Sequence, residues 1–401
     1  MGIPAKTVWL IDAVRTPIGK HGGILSSLRP DDLGAIVLQE IIKRTNVPVK
    51  DIEDVYMGCA NQAGEDNRNV ARMSLLLAGF PVDVAGCTVN RLCGSGLEAL
   101  TDAARCIMAG EGNVYIGGGV ESMSRAPWVL PKPEQAFPKG NIAAYDSTLG
   151  WRLVNPKMEN MGHTDSLGMT AENLAQQYLI SREEQDKFAL SSHQRSIQAI
   201  KDGHFKDQTV PVGTQQGTAD TDEGPRGDTS LDKLSKLKPV FKKDGTVTAG
   251  NSSQLSDGAA ALLLVSEDYG KAHGLKPVAK IRSMAVAGVP PGIMGIGPVP
   301  ATNKVLDRAK LALNDIDLIE LNEAFAAQSL AVLKEWKIDS ADPRINPLGG
   351  AIAAGHPLGA TGAILTTKLL YQMKQRNDVH FGLVTLCIGV GQGISLIIEK
   401  A

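Results

Sequence analysis

Leu92-Cys93-Gly94-Ser95-Gly96 precedes a helical stretch at residues 97–109. A matching segment, Leu358-Gly359-Ala360-Thr361-Gly362, precedes a second helical stretch at residues 363–374. After each helix a short polar link leads into a strand-like apolar run, at residues 114–118 and 379–386. The two ends of the chain therefore carry the same glycine-containing turn, helix and strand in the same order.

The repeat extends upstream of these turns. Residues 49–55 (VKDIEDV) match residues 313–319 (LNDIDLI), and a helical stretch precedes each of them, at residues 33–44 and 303–313. Strands that alternate with helices at this spacing predict an α/β fold with helix-covered, largely parallel sheets. We predict two duplicated α/β halves packed on one another.

The segment between the halves has a different character, with many charged residues at 201–245 and no clear period upstream. We predict that residues 121–250 form an inserted, largely loop-built domain over the active site, with an amphipathic helix near 172–198. Loops of this length are usually functional, and a mobile spacer is the alternative. The N-terminal half then comprises residues 1–120, completed by about 251–275, and the C-terminal half residues 276–401.

Charge and targeting patterns limit the partners. The chain has 41 lysines and arginines against 43 acidic residues, a net charge of -2, which excludes a strongly basic nucleic-acid binder. Its beginning lacks a signal-peptide pattern, and its two long uncharged windows are interrupted by proline or glycine. We expect a cytoplasmic protein with no nucleic-acid or membrane partner. The five cysteines show no paired spacing, so we expect no disulfide framework and no metal site.

Cys93 is the first candidate for chemistry. It lies directly before a helical pattern, where the partial positive charge of the helix dipole lowers the pKa of a thiol and favours the nucleophilic thiolate. A buried structural cysteine is the competing interpretation. Cys59, Cys87 and Cys106 lack this context, and we predict that they lie in the core.

His356 is flanked almost entirely by small residues, which favours a position in a cleft over one in a core. If a pseudo-twofold axis relates the halves, the helix that follows His356 begins close to the helix that follows Cys93. A neutral imidazole beside Cys93 is the base that would ionise it. A purely structural histidine is the alternative.

Two further segments contribute candidates. Cys387 follows an apolar strand and opens the run Ile388-Gly389-Val390-Gly391-Gln392-Gly393, whose backbone N–H groups suit an oxyanion. A phosphate cradle is disfavoured because a strand-like stretch, not a helix, follows. Asn322 and Glu323 lie at the end of a predicted strand and are interpreted as site residues, although a helix N-cap at Asn322 explains part of the pattern.

These blocks, together with residues 119–124 and 245–260, resemble the thiolase family over essentially the whole chain. The resemblance implies a thiolase-like fold with a layered αβαβα architecture. It also implies CoA-dependent thiolytic cleavage of 3-ketoacyl-CoA to acetyl-CoA and a shortened acyl-CoA, a reversible Claisen reaction through an acyl-cysteine.

The resemblance also implies a role for each site residue. Cys93 attacks the ketone, and the N–H groups of Cys93 and Gly389 hold the resulting oxyanion. His356 activates Cys93 and, with a water held by Asn322, stabilises the departing enolate, while Cys387 moves the proton on and off the acetyl carbon.

Substrate contacts and partners follow by the same analogy. The implied CoA contacts are Arg226 and Ser253, and Phe325 and Leu167 would wall the pantetheine and acyl site. CoA is a co-substrate and no cofactor is permanently bound. The family implies a homo-oligomer, either a dimer or a tetramer.

Gly150-Trp151-Arg152 and residues 167–172 resemble degradative 3-ketoacyl-CoA and 3-ketoadipyl-CoA thiolases. Biosynthetic acetoacetyl-CoA thiolases tend to carry His-Met where this chain has Ser166-Leu167. We rank a 3-ketoacyl-CoA thiolase of fatty-acid β-oxidation first. The alternatives are an acetyl-CoA acetyltransferase specific for acetoacetyl-CoA and a 3-ketoadipyl-CoA thiolase. Outside the family, a ketoacyl synthase, a cysteine protease and a non-catalytic CoA-binding scaffold rank lower.

Overall fold

A computed structural model of the protein describes residues 6–401. Its strands are β1 (Val8–Arg15), β2 (Gly19–Lys20), β3 (Asp54–Gly58), β4 (Ala85–Val89), β5 (Val114–Ser122), β6 (Trp128–Val129), β7 (Tyr145–Asp146), β8 (Val212–Thr214), β9 (Gly217–Ala219), β10 (Ser256–Ser266), β11 (Ala279–Gly288), β12 (Leu318–Leu321), β13 (Phe381–Ile388) and β14 (Gln392–Lys400).

The helices are α1 (Pro30–Thr45), α2 (Val70–Leu77), α3 (Ser95–Ala109), α4 (Pro156–Asn160), α5 (Leu167–Gln177), α6 (Arg182–Lys201), α7 (Leu231–Ser235), α8 (Glu267–Ala272), α9 (Pro298–Ala309), α10 (Ala326–Trp336), α11 (Ala351–Ala354) and α12 (Leu358–Gln375). Short 3-10 helices lie at Val49–Asp51, Leu92–Gly94, Pro291–Ile296 and Leu313–Asp315. None of the helices in residues 6–401 is both long and apolar enough to cross a bilayer.

The strand pairing confirms the duplication. In the N-terminal half, β10 pairs antiparallel with β1 and β5, and β5 pairs parallel with β3. In the C-terminal half, β14 pairs antiparallel with β11 and β13, and β13 pairs parallel with β12. A short pairing between β1 and β11 joins the two half-sheets into one sheet. Two halves with the same order of pairings are what a repeated unit produces.

The prediction of largely parallel sheets is wrong, because β10 in the N-terminal half and β14 in the C-terminal half each pair antiparallel with both neighbouring strands. β13 continues into β14 through a tight hairpin in which Val390 and Gly391 have φ of 64° and 85°. A two-strand hairpin is necessarily antiparallel. β10 enters the N-terminal half from the far end of the long intervening segment, and local pattern does not encode its direction.

The helices form the expected layers. α1 packs on β1 and β10 at one side of the N-terminal half-sheet, and α9 packs on β11 and β14 at the far side of the other. α3 and α12 lie between the half-sheets, in contact with each other and with strands of both halves. This arrangement is αβαβα, and the predicted fold class is confirmed.

The central helices touch backbone to backbone at their first turns. A Cβ on Gly362 would lie 2.3 Å from the backbone nitrogen of Leu97, and a Cβ on Gly96 would lie 2.7 Å from the carbonyl oxygen of Gly359. Only glycine fits at such an approach. The repeated glycines therefore bring the N-termini of α3 and α12 together, and Cys93 and His356 are the residues just ahead of those helices.

The segment 121–250 is more helical than predicted. The single helix expected near 172–198 is two helices, because Leu179, with φ of 51°, ends α5 and Ser181 begins α6 with a capping box to Glu184. α5 packs on α10, and α6 packs on α11. The predicted domain boundaries stay a prediction, and β10 supplies the N-terminal half with a strand from beyond this segment.

Candidate active site

Cys93 lies in the 3-10 turn Leu92–Gly94, immediately before α3, and its side chain is 5% exposed. Leu92 adopts a left-handed conformation with φ of 48°, which turns the chain sharply ahead of the cysteine. The backbone N–H groups of Gly389 and of Cys93 itself lie close to the Sγ of Cys93 and lower its pKa. The thiol therefore lies among donors that suit a negative charge.

The resting thiol is nevertheless not acidic. Burial raises the pKa of Cys93 to about 11, in spite of the two N–H groups that lower it. At this depth, removing a thiolate from water raises the pKa by more than the two backbone N–H groups lower it. The prediction of a lowered pKa is therefore wrong. The structural prediction for the other cysteines holds for buried Cys59, whereas Cys106 is half-buried and Cys87 is exposed on the edge strand β4.

The end of β13 brings two more predicted residues to Cys93. Cys387 is fully buried in that strand, and burial together with the nearby Cys93 raises the pKa of its thiol. Gly389 follows the strand directly, and its N–H faces the sulfur of Cys93. A second thiol and an oxyanion donor thus reach the nucleophile from one strand end.

His356 is held as a neutral imidazole of defined tautomer. Burial lowers its pKa to about 4. Its Nδ1 lies 2.7 Å from the hydroxyl of Thr361, and that hydroxyl donates to the carbonyl of Pro357 across 2.9 Å. A hydroxyl has one proton to give, so Nδ1 carries the ring proton and Nε2 is left as the acceptor. That nitrogen is the basic atom of the ring.

Asn322 lies next to that nitrogen, with its Nδ2 3.3 Å from Nε2 of His356. Its Oδ1 is buried and has no hydrogen-bond partner within the described chain. The helix-cap interpretation of Asn322 is wrong, because α10 begins at Ala326 and Phe325 occupies the cap position. Asn322 follows β12, so the strand end aims it at His356.

Glu121 is a site residue that the sequence interpretation did not single out. Its carboxylate accepts the N–H groups of Ala60, Asn61 and Gly359, the last across 2.7 Å. Burial raises its pKa to about 7. Because Gly359 lies in the first turn of α12, Glu121 fixes the start of that helix against β5. The sequence signal that could have identified Glu121 is a single acidic residue in a strand of otherwise apolar and small residues.

A cavity of about 190 Å³ opens beside Cys93 and Gly389. Leu167, predicted to wall the acyl site, lines it at the start of α5. Among the described residues, Arg226, Ser253 and Phe325 are not part of this lining. Phe325 packs edge-on against Phe241, the Ser253 N–H donates to the carbonyl of Ala324, and Arg226 is exposed. Their predicted roles with CoA stay predictions.

A buried thiol with two oxyanion donors, a second thiol and a neutral imidazole, all on a duplicated α/β fold, define an enzyme of acyl transfer through cysteine. Comparison with known proteins identifies the family of this enzyme. Residues 8–268 match the family model described as the N-terminal domain of thiolase, and residues 275–400 match that of its C-terminal domain. The chain belongs to the thiolase family. It is an acyltransferase that cleaves 3-ketoacyl-CoA with CoA.

Full-length relatives share about half of the sequence. A "3-oxoadipyl-CoA/3-oxo-5,6-dehydrosuberyl-CoA thiolase" of Escherichia coli is 52% identical, covering 98% of this chain and 100% of the relative. A "Beta-ketoadipyl-CoA thiolase" of Pseudomonas knackmussii is 50% identical, covering 99% and 100%. The crystal structure of human mitochondrial 3-ketoacyl-CoA thiolase in complex with CoA matches with a TM-score of 0.93 and 39% identity, covering 100% of both chains.

Proposed function

We propose that the protein is a 3-oxoadipyl-CoA thiolase, which releases acetyl-CoA and transfers the remaining succinyl group to a second CoA. The full-length identity of about half with relatives named for this substrate supports the proposal. This identity favours the 3-ketoadipyl-CoA thiolase, an alternative in the sequence analysis, over the fatty-acid 3-ketoacyl-CoA thiolase that the sequence analysis ranks first. The contact between Cys93 Sγ and the Gly389 N–H is the observation that carries the chemistry.

In the first step, Cys93 Sγ attacks the ketone carbon and its proton passes to Nε2 of His356. Because burial raises the pKa of Cys93 to about 11, the resting group is the thiol, and it needs His356 as a base for the attack. The N–H groups of Gly389 and Cys93, which face the sulfur in the resting protein, are placed to hold the alkoxide that forms. Fixed donors of this kind stabilise the transition state without reorganisation.

In the second step, the carbon–carbon bond breaks and leaves a succinyl thioester on Cys93. The departing enolate takes a proton from Cys387, and the protonated Nε2 of His356, with Asn322 beside it, stabilises the enolate oxygen. The Cys387 thiolate then accepts the proton of an incoming CoA, whose sulfur attacks the succinyl group. Cys93 leaves as a thiolate and regains its proton from His356, which restores the resting state.

We further propose a cytoplasmic homo-oligomer, dimer or tetramer, that uses CoA as co-substrate and keeps no cofactor permanently bound. The family resemblance and the sequence patterns described above support these points.

The test is CoA-dependent thiolysis of 3-oxoadipyl-CoA, 3-oxohexanoyl-CoA, 3-oxopalmitoyl-CoA and acetoacetyl-CoA, with Cys93→Ala as control. We expect the largest kcat/KM for 3-oxoadipyl-CoA and a loss of several orders of magnitude in Cys93→Ala. Activity that rises with chain length would instead place the enzyme in fatty-acid degradation. Activity confined to acetoacetyl-CoA would make it an acetyl-CoA acetyltransferase. Turnover that does not depend on Cys93 would contradict the mechanism.

A further inference from the structure

The wall of the catalytic cavity contains a cation that the mechanism does not use. Arg152 lines the same cavity as Cys93 and Gly389 and is half-buried. It is the only lysine or arginine of that lining in the described part of the chain. A permanent guanidinium charge in a mostly apolar cavity calls for an anionic partner.

Nothing within residues 6–401 supplies that partner, since the Arg152 side chain makes neither a hydrogen bond nor an ion pair there. The one acid of the lining, Asp165, is engaged elsewhere. Its carboxylate accepts the amide of Asn173 across 3.0 Å, and its backbone carbonyl accepts the indole N–H of Trp151 across 3.2 Å. Asp165 thus holds Trp151, the neighbour of Arg152, and does not pair with the Arg152 guanidinium.

The backbone around Arg152 is bent tightly at both sides. Gly150 and Leu153 have φ of 84° and 51°, both in the left-handed region. Together with the indole bond of Trp151, these turns fix the short segment 150–153 as one wall of the cavity. The position of the Arg152 backbone is therefore set by these two turns and by the Trp151 hydrogen bond.

From this geometry we propose that Arg152 determines specificity by binding the terminal carboxylate of a dicarboxylic 3-ketoacyl-CoA. The inference rests on the proposed function, because 3-oxoadipyl-CoA carries a carboxylate three carbons beyond the ketone that Cys93 attacks. A guanidinium matches a carboxylate with two parallel hydrogen bonds. An acyl chain of equal length that ends in a methyl group would fill the same cavity without forming a hydrogen bond to Arg152.

Two substrates of equal chain length test the assignment, 3-oxoadipyl-CoA and 3-oxohexanoyl-CoA. We expect Arg152→Gln to lower kcat/KM for 3-oxoadipyl-CoA about 10- to 100-fold, the range for a hydrogen bond to a charged group. The change should lie mainly in KM, because the carboxylate is bound equally in the ground and transition states. For 3-oxohexanoyl-CoA, kcat/KM should stay within about threefold of the wild type.

Two controls accompany the variant. Lys157→Gln removes a positive charge from an exposed residue of the nearby helix α4 that is outside the cavity lining, and it should leave the ratio of the two kcat/KM values unchanged. Arg152→Lys keeps the charge but loses the paired hydrogen bonds, and it should give an intermediate ratio.

The outcomes separate the two proposals. An equal loss with both substrates would mean that Arg152 serves the fold or the CoA moiety, and would overturn the assignment. An unchanged ratio in Arg152→Gln, with a wild type that prefers 3-oxoadipyl-CoA, would overturn the assignment alone. A wild type without that preference would overturn the proposed function itself.

Discussion

The ring of His356 donates from Nδ1 to the hydroxyl of Thr361 across 2.7 Å, which leaves Nε2, beside the Asn322 amide, as the basic nitrogen. The duplicated half contains the equivalent arrangement. Ser95 corresponds to Thr361 in the repeat, and its hydroxyl accepts the N–H of Arg91 and donates to the carbonyl of Leu92. Equivalent hydroxyl groups therefore bind the backbone at the start of each central helix. In the C-terminal half this hydroxyl also orients the ring of His356.

Replacing Thr361 by valine should impair catalysis more than folding. The buried Nδ1–H of His356 would lose its acceptor, a cost of about 1–3 kcal/mol that the ring can avoid by changing tautomer. The wrong tautomer presents N–H where the mechanism needs a base. We expect kcat to fall about 10- to 100-fold with little change in KM. Thr361→Ser keeps the hydroxyl and should retain most of the activity. Equal kcat values for the two variants would contradict the orienting role.

The pKa of Cys93, about 11, predicts the pH dependence of its alkylation. Because the thiolate is the reactive form, the rate with iodoacetamide should rise about tenfold per pH unit from pH 7 to 10, without a plateau. Mass spectrometry of the Cys93 peptide measures this rate, and exposed Cys87 provides an internal comparison. A plateau near pH 7 would show instead that the helix terminus outweighs burial.

Glu121 should make stability depend on pH. Burial raises its pKa from an ordinary 4.5 to about 7, so the folded protein binds this proton more tightly than the unfolded chain. The stabilisation is complete below pH 4.5 and is lost as pH rises through 7. The difference in unfolding free energy between wild type and Glu121→Gln should fall by about 3 kcal/mol from pH 4.5 to 7. Denaturant titrations at the two pH values measure it, and a difference that is constant or grows with pH would refute the assignment.

The contact between the central helices predicts an unusual response to a helix-favouring substitution. In an open helix, Gly362→Ala would stabilise by up to about 1 kcal/mol. Here the new Cβ would lie 2.3 Å from the backbone of Leu97, so α3 and α12 must separate. We expect a loss of stability of about 1–3 kcal/mol and a lower kcat.

Gly213→Ala is the matched control, because no atom of residues 6–401 lies within 4 Å of a Cβ at that position. Its thermal unfolding midpoint and kcat should stay close to those of the wild type. A Gly362→Ala protein that is as stable and as active as Gly213→Ala would show that the backbone contact is not required.

Much of the fold could be predicted because its signals are local. Helix periodicity and the repeated glycine turns predicted α3 and α12, and the structure places both with the expected neighbours. The direction of β10 could not be predicted, since its partners β1 and β5 are distant in sequence. Cys87 was misplaced for a similar reason, because a short strand looks the same at the edge of a sheet as at its centre.

The sequence by itself determined the duplication, the turns at which reactive side chains emerge, and the residues available for chemistry. Only the tertiary structure decided the electrostatic state of those residues. The helix that begins after Cys93 is visible in the sequence, but the burial that raises the pKa of this thiol is produced by the packing of both halves. The partners of His356 and Glu121, and the unpaired charge of Arg152, likewise arise only when distant segments meet. Desolvation and hydrogen bonding depend on contacts between segments that are distant in sequence, and local sequence patterns do not specify those contacts.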